Sequence, residues 1–492
     1  MAEQDEYSQS QRIGYTLIQH SKSEIRKISD PIYDFIYFDQ AIWKVIDNPI
    51  YQRLRNIKQL GTTSWVFQGA NHTRFEHCLG VGHLAQQFIS SIYNNQPYLD
   101  SEEDKKRNIK LITIAGIVHD LGHGPFSHMF DNLLIPKITN TSDLWCHEQA
   151  SEMLFDYMYE NYNLGLEKDE VNFINALVHG DSNKVSNGKK QWFYDIVSNK
   201  RNGIDVDRID YIRRDCHHLG FPPSIKDFKY LMQESRVIDD EICYPQRYAF
   251  NIFDLFNTRY KLFKIVYLNR ISQCIEQMMC DILLSVNHIY KFNEIILEPE
   301  KYYKLNDSII EQIESAEGPE YAHAQSIIKR LKTRELYKFV SEALIKSSTS
   351  LESNDKIRDE LITYISANVQ VKKEEIYVSQ GKVGFGSNGG NPLNLINFYK
   401  ASDLNIKIPG NDKNTSFCLP IEFSENFISI FVSNIQIIQP VEEAFEKYCQ
   451  IKFGFKPPKQ ERYQTTPQKT PQNSITDFSS VKSTLNRNDR FE

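Results

Sequence analysis

The chain has 492 residues, 40% hydrophobic and 25% charged, and a formal net charge of -7. That is the balance of a globular protein, and its acidity excludes a general electrostatic pull on nucleic acid or anionic membranes. No apolar run approaches the roughly 20 residues needed to span a bilayer. The eight cysteines are scattered without a CxxC pair and the N-terminal MAEQDEYSQSQR has no apolar segment, which favours a reducing compartment, nucleus or cytoplasm.

Residues 1–25 read as a flexible polar tail, and residues 26–370 as a mainly α-helical body. In QAIWKVIDNPIYQRLRNIKQL (Gln40–Leu60) apolar residues recur at helical spacing with a break at Asn48-Pro49. Pro49 suits a first helical turn and Asn48 the cap before it. HTRFEHCLGVGHLAQQFISSIY (His72–Tyr93) repeats apolar residues every three to four positions. Gly80 and Gly82 lower its helicity, which predicts close packing there. Asn251–Val286 reads as one long helix. From 371 to 456 the texture changes: EEIYVSQGKVGFGSNGG is Gly-rich and β-branched and FISIFVSN looks like a strand, so a small mixed α+β lobe is expected. The Pro-, Gln-, Ser- and Thr-rich segment 457–492 cannot bury enough apolar surface to offset its ordering entropy and is expected to be disordered.

The stretch VHDLGHGPFSH (Val118–His128) follows an apolar run. A buried His-Asp pair is costly unless compensated, and a metal ion is the obvious compensation. His119, His123, His128 and His147 fall close together, and Gly122, Gly124 and Pro125 permit a sharp bend. His77, His119, Asp120 and Asp207 stand out as ligands for a divalent ion. Imidazole and carboxylate donors suit Fe, Mn, Zn or Mg without choosing among them.

HTRFEHCLGVGHLA, AGIVHDLGHGPFSHMFD, HEQAS and SNKRNGIDVDRIDYIRRDCHHLG together resemble the HD-domain phosphohydrolases, and within them the SAM-and-HD-domain deoxynucleoside triphosphate (dNTP) triphosphohydrolases. The likeness runs from about Lys27 to Phe455 and implies an HD-type catalytic domain with helical extensions over 26–370. It implies one metal on His77, His119, Asp120 and Asp207, and hydrolysis of a dNTP to deoxynucleoside and intact triphosphate. His147 matches a catalytic histidine; His128 matches a general acid, with Asp131 as its orienting carboxylate. Arg74, Arg208 and Arg259 match phosphate-binding cations. Gln59 and Leu60 match the pair that meets the sugar, through a 3′-OH bond and crowding of a 2′-OH. Tyr211, Asp215 and Tyr267 complete that pocket. Arg208 stands where the family has Lys, Phe263 where it has His, and Leu268 where it has Gln, so base contacts differ.

The resemblance also implies activation by nucleotides, with Mg²⁺ bound to them, that join subunits into a tetramer. Arg26, Asp47, Gln52 and Arg55 match a GTP or dGTP site, and Asn251, Asn269, Arg270, Arg334 and Lys338 a second, dNTP site. Read without the likeness, RELYKF is a charged helix face. The resemblance also implies weak binding of single-stranded nucleic acid. Only about 25 residues precede the HD body, so no SAM domain is expected. Thr466 in TTPQKTPQ resembles a proline-directed phosphorylation site, where phosphate would add nearly two negative charges. Two other readings stand beside this one: another HD nucleotidase or phosphodiesterase, and a nucleic-acid-binding protein with a vestigial HD site.

Overall fold

The computed structural model describes residues 25–139, 145–184, 190–222, 228–386, 389–410 and 419–459. The expected terminal tails lie almost entirely outside the described residues, and Thr466 lies outside them. The fold is mainly α.

A hairpin of β1 (Ile25–Asp30) and β2 (Asp34–Asp39) leads into α1 (Gln40–Ile46). The Asn48 side chain accepts from the Ile50 amide at 3.0 Å and Pro49 opens the short helix Pro49–Gln52, so the cap read from the sequence is present. Two long helices follow, α2 (Arg74–Asn95) and α3 (Glu102–Val118). Helix α2 starts where Glu76 accepts from the Thr73 amide at 3.0 Å, half of a capping box.

The glycines of α2 mark its closest approaches. A Cβ at Gly82 would sit 2.5 Å from Ile117 of α3, and one at Gly80 would sit 2.0 Å from Asp210. Close packing brings buried Val81, Leu84, Ile114 and Ile117 together in one core. Each such side chain contributes about 1.5–3 kcal/mol when fully buried.

After the bend at 119–128 come α4 (His147–Asn161), α5 (Lys168–His179) and α6 (Val206–Leu219). The single helix expected over Asn251–Val286 is two: α7 (Ala249–Leu262) and α8 (Arg270–Ser285), separated by a π-type turn at Phe263–Tyr267. Asn269 makes the break, its side chain accepting from the Ile271 and Ser272 amides at 3.0 and 3.3 Å. Helix α9 (Ala322–Lys332) packs on α8.

The mixed lobe begins earlier than 371. Its antiparallel sheet has the order β5-β9-β6, from β5 (Lys338–Lys346), β9 (Ser424–Val432) and β6 (Ile376–Gly384). Helices α10 (Asn354–Tyr364) and α11 (Ile438–Phe453) complete a core around Val340, Leu361, Ile430 and Phe445. Lys338 therefore starts a strand and not a helix face. A second sheet links lobe and body: β3 (Arg236–Ile238), β4 (Glu241–Pro245), β7 (Asn397–Lys400) and β8 (Asp403–Pro409), with β4 and β7 parallel.

Candidate metal centre and active site

Three elements converge on one group of ligand atoms. Helix α2 supplies His77, the end of α3 supplies His119 and Asp120, and the first turn of α6 supplies Asp207. Ligand atoms of His77, His119 and Asp120 all lie within 4.8 Å of one another. Asp207 adds from the rim, its Oδ1 3.1 Å from His77 Nε2 and 3.4 Å from His119 Nε2, with 37% of its side chain exposed.

Each imidazole is fixed from behind. His77 Nδ1 donates to Asp210 Oδ2 at 2.8 Å, and His119 Nδ1 lies 2.8 Å from the Gly116 carbonyl. Both Nε2 atoms thus face the carboxylates, and that of His119 makes no hydrogen bond among the described residues. A buried nitrogen aimed at carboxylates, with its opposite nitrogen bonded to an acceptor, is the arrangement of a metal-ligating histidine. The donor set fits a divalent ion.

Charge tells the same story. Burial opposes protonation of His77, but its hydrogen bonds to Asp207 and Asp210 raise its pKa to about 10. Burial pushes Asp207 up, yet His119 and His77 hold it well below the usual carboxylate range. These groups demand a positive charge, which a proton or a metal ion can provide.

Asp210 is itself held. It accepts from Arg214 Nε at 2.9 Å and from the Tyr33 hydroxyl at 2.8 Å. Arg214, with no exposed side-chain surface, also reaches Asp30 at 3.0 Å. Asp210 follows Asp207 by three residues and precedes Arg214 by four, so all three lie on one stripe of α6.

Beside the ligands is a second group: His123, His128, Asp131 and His147 have ligand atoms within 4.8 Å of one another. His147 opens α4, whose start is locked to the bend. The Ser151 hydroxyl donates to the His119 carbonyl and accepts from the Gly122 amide, both at 2.8 Å. The sequence reading paired Asp131 with His128. In the structure Asp131 Oδ2 accepts instead from His147 Nδ1, at 2.8 Å. Burial opposes charge on His147, but Asp131 outweighs it and raises its pKa. His128 is exposed at the mouth of this group, so Asp131 orients His147 and not the histidine nearer to it in sequence. His123, given no role from the sequence, stacks on His147 with ring centroids 3.8 Å apart.

Of the expected phosphate cations, Arg74 lies by this group, while Arg208 and Arg259 lie by Tyr211. Arg74 is fully buried and pairs with Asp120, and its Nε donates to Ser127 Oγ at 2.8 Å. The Arg208 Nε makes no hydrogen bond among the described residues, and its guanidinium lies over Phe256 at 5.5 Å. Arg259 donates to the Gly384 carbonyl at 2.8 Å and covers Phe263 at 4.4 Å. Asp215 is anchored by His72 Nε2 at 2.7 Å and by the Tyr267 hydroxyl. Tyr211 lies one turn ahead of Asp215 on α6, half-buried. Gln59 is buried, its Oε1 making no hydrogen bond among the described residues, and Leu60 beside it is half-buried.

The expected activator residues fall into two places. Arg26 pairs with Asp47 and lies over Trp43 at 4.0 Å. Gln52 Oε1 accepts from Arg55 Nε at 2.7 Å, and Arg55 covers Phe75 at 3.5 Å. Arg55 and Arg334 line a cleft of about 900 Å³, and Arg334 continues into a smaller one of about 290 Å³ with Arg270 and Lys338. Asn269 caps α8 beside the smaller cleft. Asn251, on the first turn of α7, lines neither.

The HD domain family matches residues 74–215, which hold all four expected ligands. A Dictyostelium discoideum protein, the deoxynucleoside triphosphate triphosphohydrolase SAMHD1 homolog, is 34% identical over 87% of this chain and 81% of its own length. The chain belongs to the SAMHD1 family. The Homo sapiens deoxynucleoside triphosphate triphosphohydrolase SAMHD1 is 33% identical over 88% of this chain and 75% of its own, and the Bos taurus protein 32% over 90% and 81%. These likenesses reach well beyond the HD domain, so the SAMHD1-family fold includes the mixed lobe.

Proposed function

We propose that the protein hydrolyses deoxynucleoside triphosphates to deoxynucleoside and inorganic triphosphate. The observation that carries this is the convergence of His77, His119, Asp120 and Asp207 beside the buried Arg74, in a chain whose curated relatives are named for that reaction. Those four residues would hold a divalent ion, which supplies a Lewis acid and lowers the pKa of its water.

The chain's own residues do the rest. Arg74, Arg208 and Arg259 bind and orient the triphosphate, whose several charges need several cations. Water adds at the α-phosphorus, losing one proton to solvent, and the bond to O5′ breaks. The proton on His147 passes to O5′, so the deoxynucleoside leaves as an alcohol and the triphosphate leaves intact. Asp131 keeps His147 charged and aimed until that moment. Gln59, Tyr211, Asp215 and Tyr267 take the sugar, with Gln59 Oε1 as the acceptor for the 3′-OH. Leu60 crowds a 2′-OH and so selects deoxyribose.

GTP or dGTP would activate at Arg26, Asp47, Gln52 and Arg55, where the Asp47 carboxylate suits the N–H donors of guanine. A dNTP would occupy the smaller cleft, where Arg270, Arg334 and Lys338 suit a phosphate chain; Asn251 and Asn269 stand at its approach. Mg²⁺ accompanies these nucleotides, and a homotetramer is the assembled form. Purified protein incubated with each dNTP and Mg²⁺ or Mn²⁺, with and without GTP, tests the reading by ion-exchange analysis of products. Deoxynucleoside plus intact triphosphate, lost in Asp207→Ala, is the expected result. Monophosphate or pyrophosphate would overturn it.

A further inference from the structure

Asp307 takes no part in the chemistry described so far. It stands just before the short helix Ile309–Ser315, in the wall of the larger cleft. Its carboxylate bridges two segments distant in sequence: Oδ2 accepts from the Lys58 amide at 3.0 Å and Oδ1 from the Phe126 amide at 2.7 Å. Its own amide donates to the Asn56 carbonyl at 3.1 Å.

The two bridged segments lead in different directions. Arg55, Asn56 and Lys58 face the cleft. Phe126 opens the turn that delivers Ser127 and His128 to the catalytic group. A second link runs parallel to the first. Ser127 Oγ donates to the Lys58 carbonyl at 2.7 Å and accepts from Arg74 Nε at 2.8 Å, and Arg74 pairs with Asp120. The two segments are in direct contact, since a Cβ at Gly61 would lie 2.5 Å from the Phe126 carbonyl oxygen.

The turn is also unusual. Phe126 and Ser127 have φ of 60° and 55°, the left-handed region that residues with a Cβ rarely adopt. Such backbone persists only where its surroundings over-determine it. Asp307 is one of those determinants. A carboxylate is required there because both oxygens face N–H donors; an asparagine would offer one acceptor and set an NH₂ group against the other donor. Burial raises Asp307 to about 6, and the two amides work to keep it ionised.

We propose that Asp307 is a positioning residue that couples GTP binding at Arg55 to the placement of Ser127, His128 and Arg74 around the catalytic group. GTP held at Arg55 fixes the adjoining Asn56–Lys58 segment, and Asp307 and Ser127 carry that restraint to the turn. The proposal rests on the reading of Arg55 as part of the GTP activator site.

Hydrogen exchange on the full chain, with GTP and Mg²⁺ as the probe, separates the two ideas. GTP is expected to slow exchange around Arg55 and, by about tenfold, in the 122–129 segment. In Asp307→Asn, and independently in Ser127→Ala, protection near Arg55 should remain while that of 122–129 disappears. In turnover the Asp307→Asn enzyme should lose about tenfold in kcat at saturating GTP, a typical coupling factor, with its half-activating GTP concentration unchanged. Equal protection of 122–129 in native and variant chains overturns the proposal, as does a fall in kcat that merely tracks weaker GTP binding. If GTP protects neither segment in the native chain, the activator reading fails and this proposal with it. If GTP protects both but no dNTP is cleaved, the functional reading fails and the coupling stands.

Discussion

Asp210 accepts from His77 Nδ1 at 2.8 Å and from Arg214 Nε at 2.9 Å, so one buried carboxylate orients a candidate ligand and neutralises a buried guanidinium. Holding the ring's far nitrogen fixes the tautomer that presents Nε2. Replacing Asp210 by Asn keeps the shape and removes the charge. Asp210→Asn is expected to lower divalent-metal affinity about 10- to 100-fold, measured by chelator competition with elemental analysis, while helical content persists. Native affinity in the variant would show that Asp210 serves Arg214 alone.

The Asp131–His147 pair sets a pH dependence. Asp131 raises the His147 pKa above the usual histidine value near 6.5. A donor must be protonated, so kcat falls as pH rises through the His147 pKa. In Asp131→Asn that falling limb should move to lower pH. A pH–rate profile with the limb unmoved would remove His147 from the donor role.

At Gly80 an added methyl has nowhere to go. Its Cβ would meet Asp210 Oδ1 at 2.0 Å and Arg214 Nη2 at 2.5 Å, both in a fully buried network. Gly80→Ala is expected to destabilise the fold by about 1–3 kcal/mol, the usual cost of overpacking, and to loosen metal binding with it. Calorimetric melting with and without added metal checks both parts. An unchanged melting temperature would mean that α2 and α6 separate at little cost.

Arg26 and Asp47 make the opposite case. Both side chains are about half exposed, so their ion pair adds about 1 kcal/mol or less to stability. Asp47→Ala should melt like the native protein yet lose activation by GTP. Thermal melting and a GTP titration of dNTP turnover measure the two sides. Full activation with native affinity would place guanine elsewhere.

Much of this was legible in the sequence, for identifiable reasons. His119-Asp120 ends an apolar helix beside three more histidines, a density that a core rarely has. Asn48-Pro49 is a cap signal with a mechanism, and Gly80 and Gly82 announced a close helix contact. What was hidden is equally specific. Asp210 sits among DRIDYIRRD, where six of nine residues are charged and nothing marks the one that turns inward. The choice of His147 over His128 as Asp131's partner depends on the bend geometry, which spacing does not encode. The break at Asn269 is masked because apolar periodicity continues on both sides of it. β5 was missed because KFVSEALIK mixes Phe, Val and Ile with Lys, Glu, Ala and Leu, which suit a helix as well as a strand.

Arg259 is aimed by a carbonyl that belongs to the lobe, at Gly384 on the last position of β6. A proteolytic fragment ending near residue 370 would retain every candidate metal ligand but not that carbonyl, and β4 would lose its partner β7. An unpaired strand edge invites pairing with other chains. The same logic reaches descent. A recombination event that exchanged the C-terminal third between two relatives would have to supply a matching β6 and β7, or leave an arginine pointing nowhere and an edge exposed. Body and lobe are thus heritable only together.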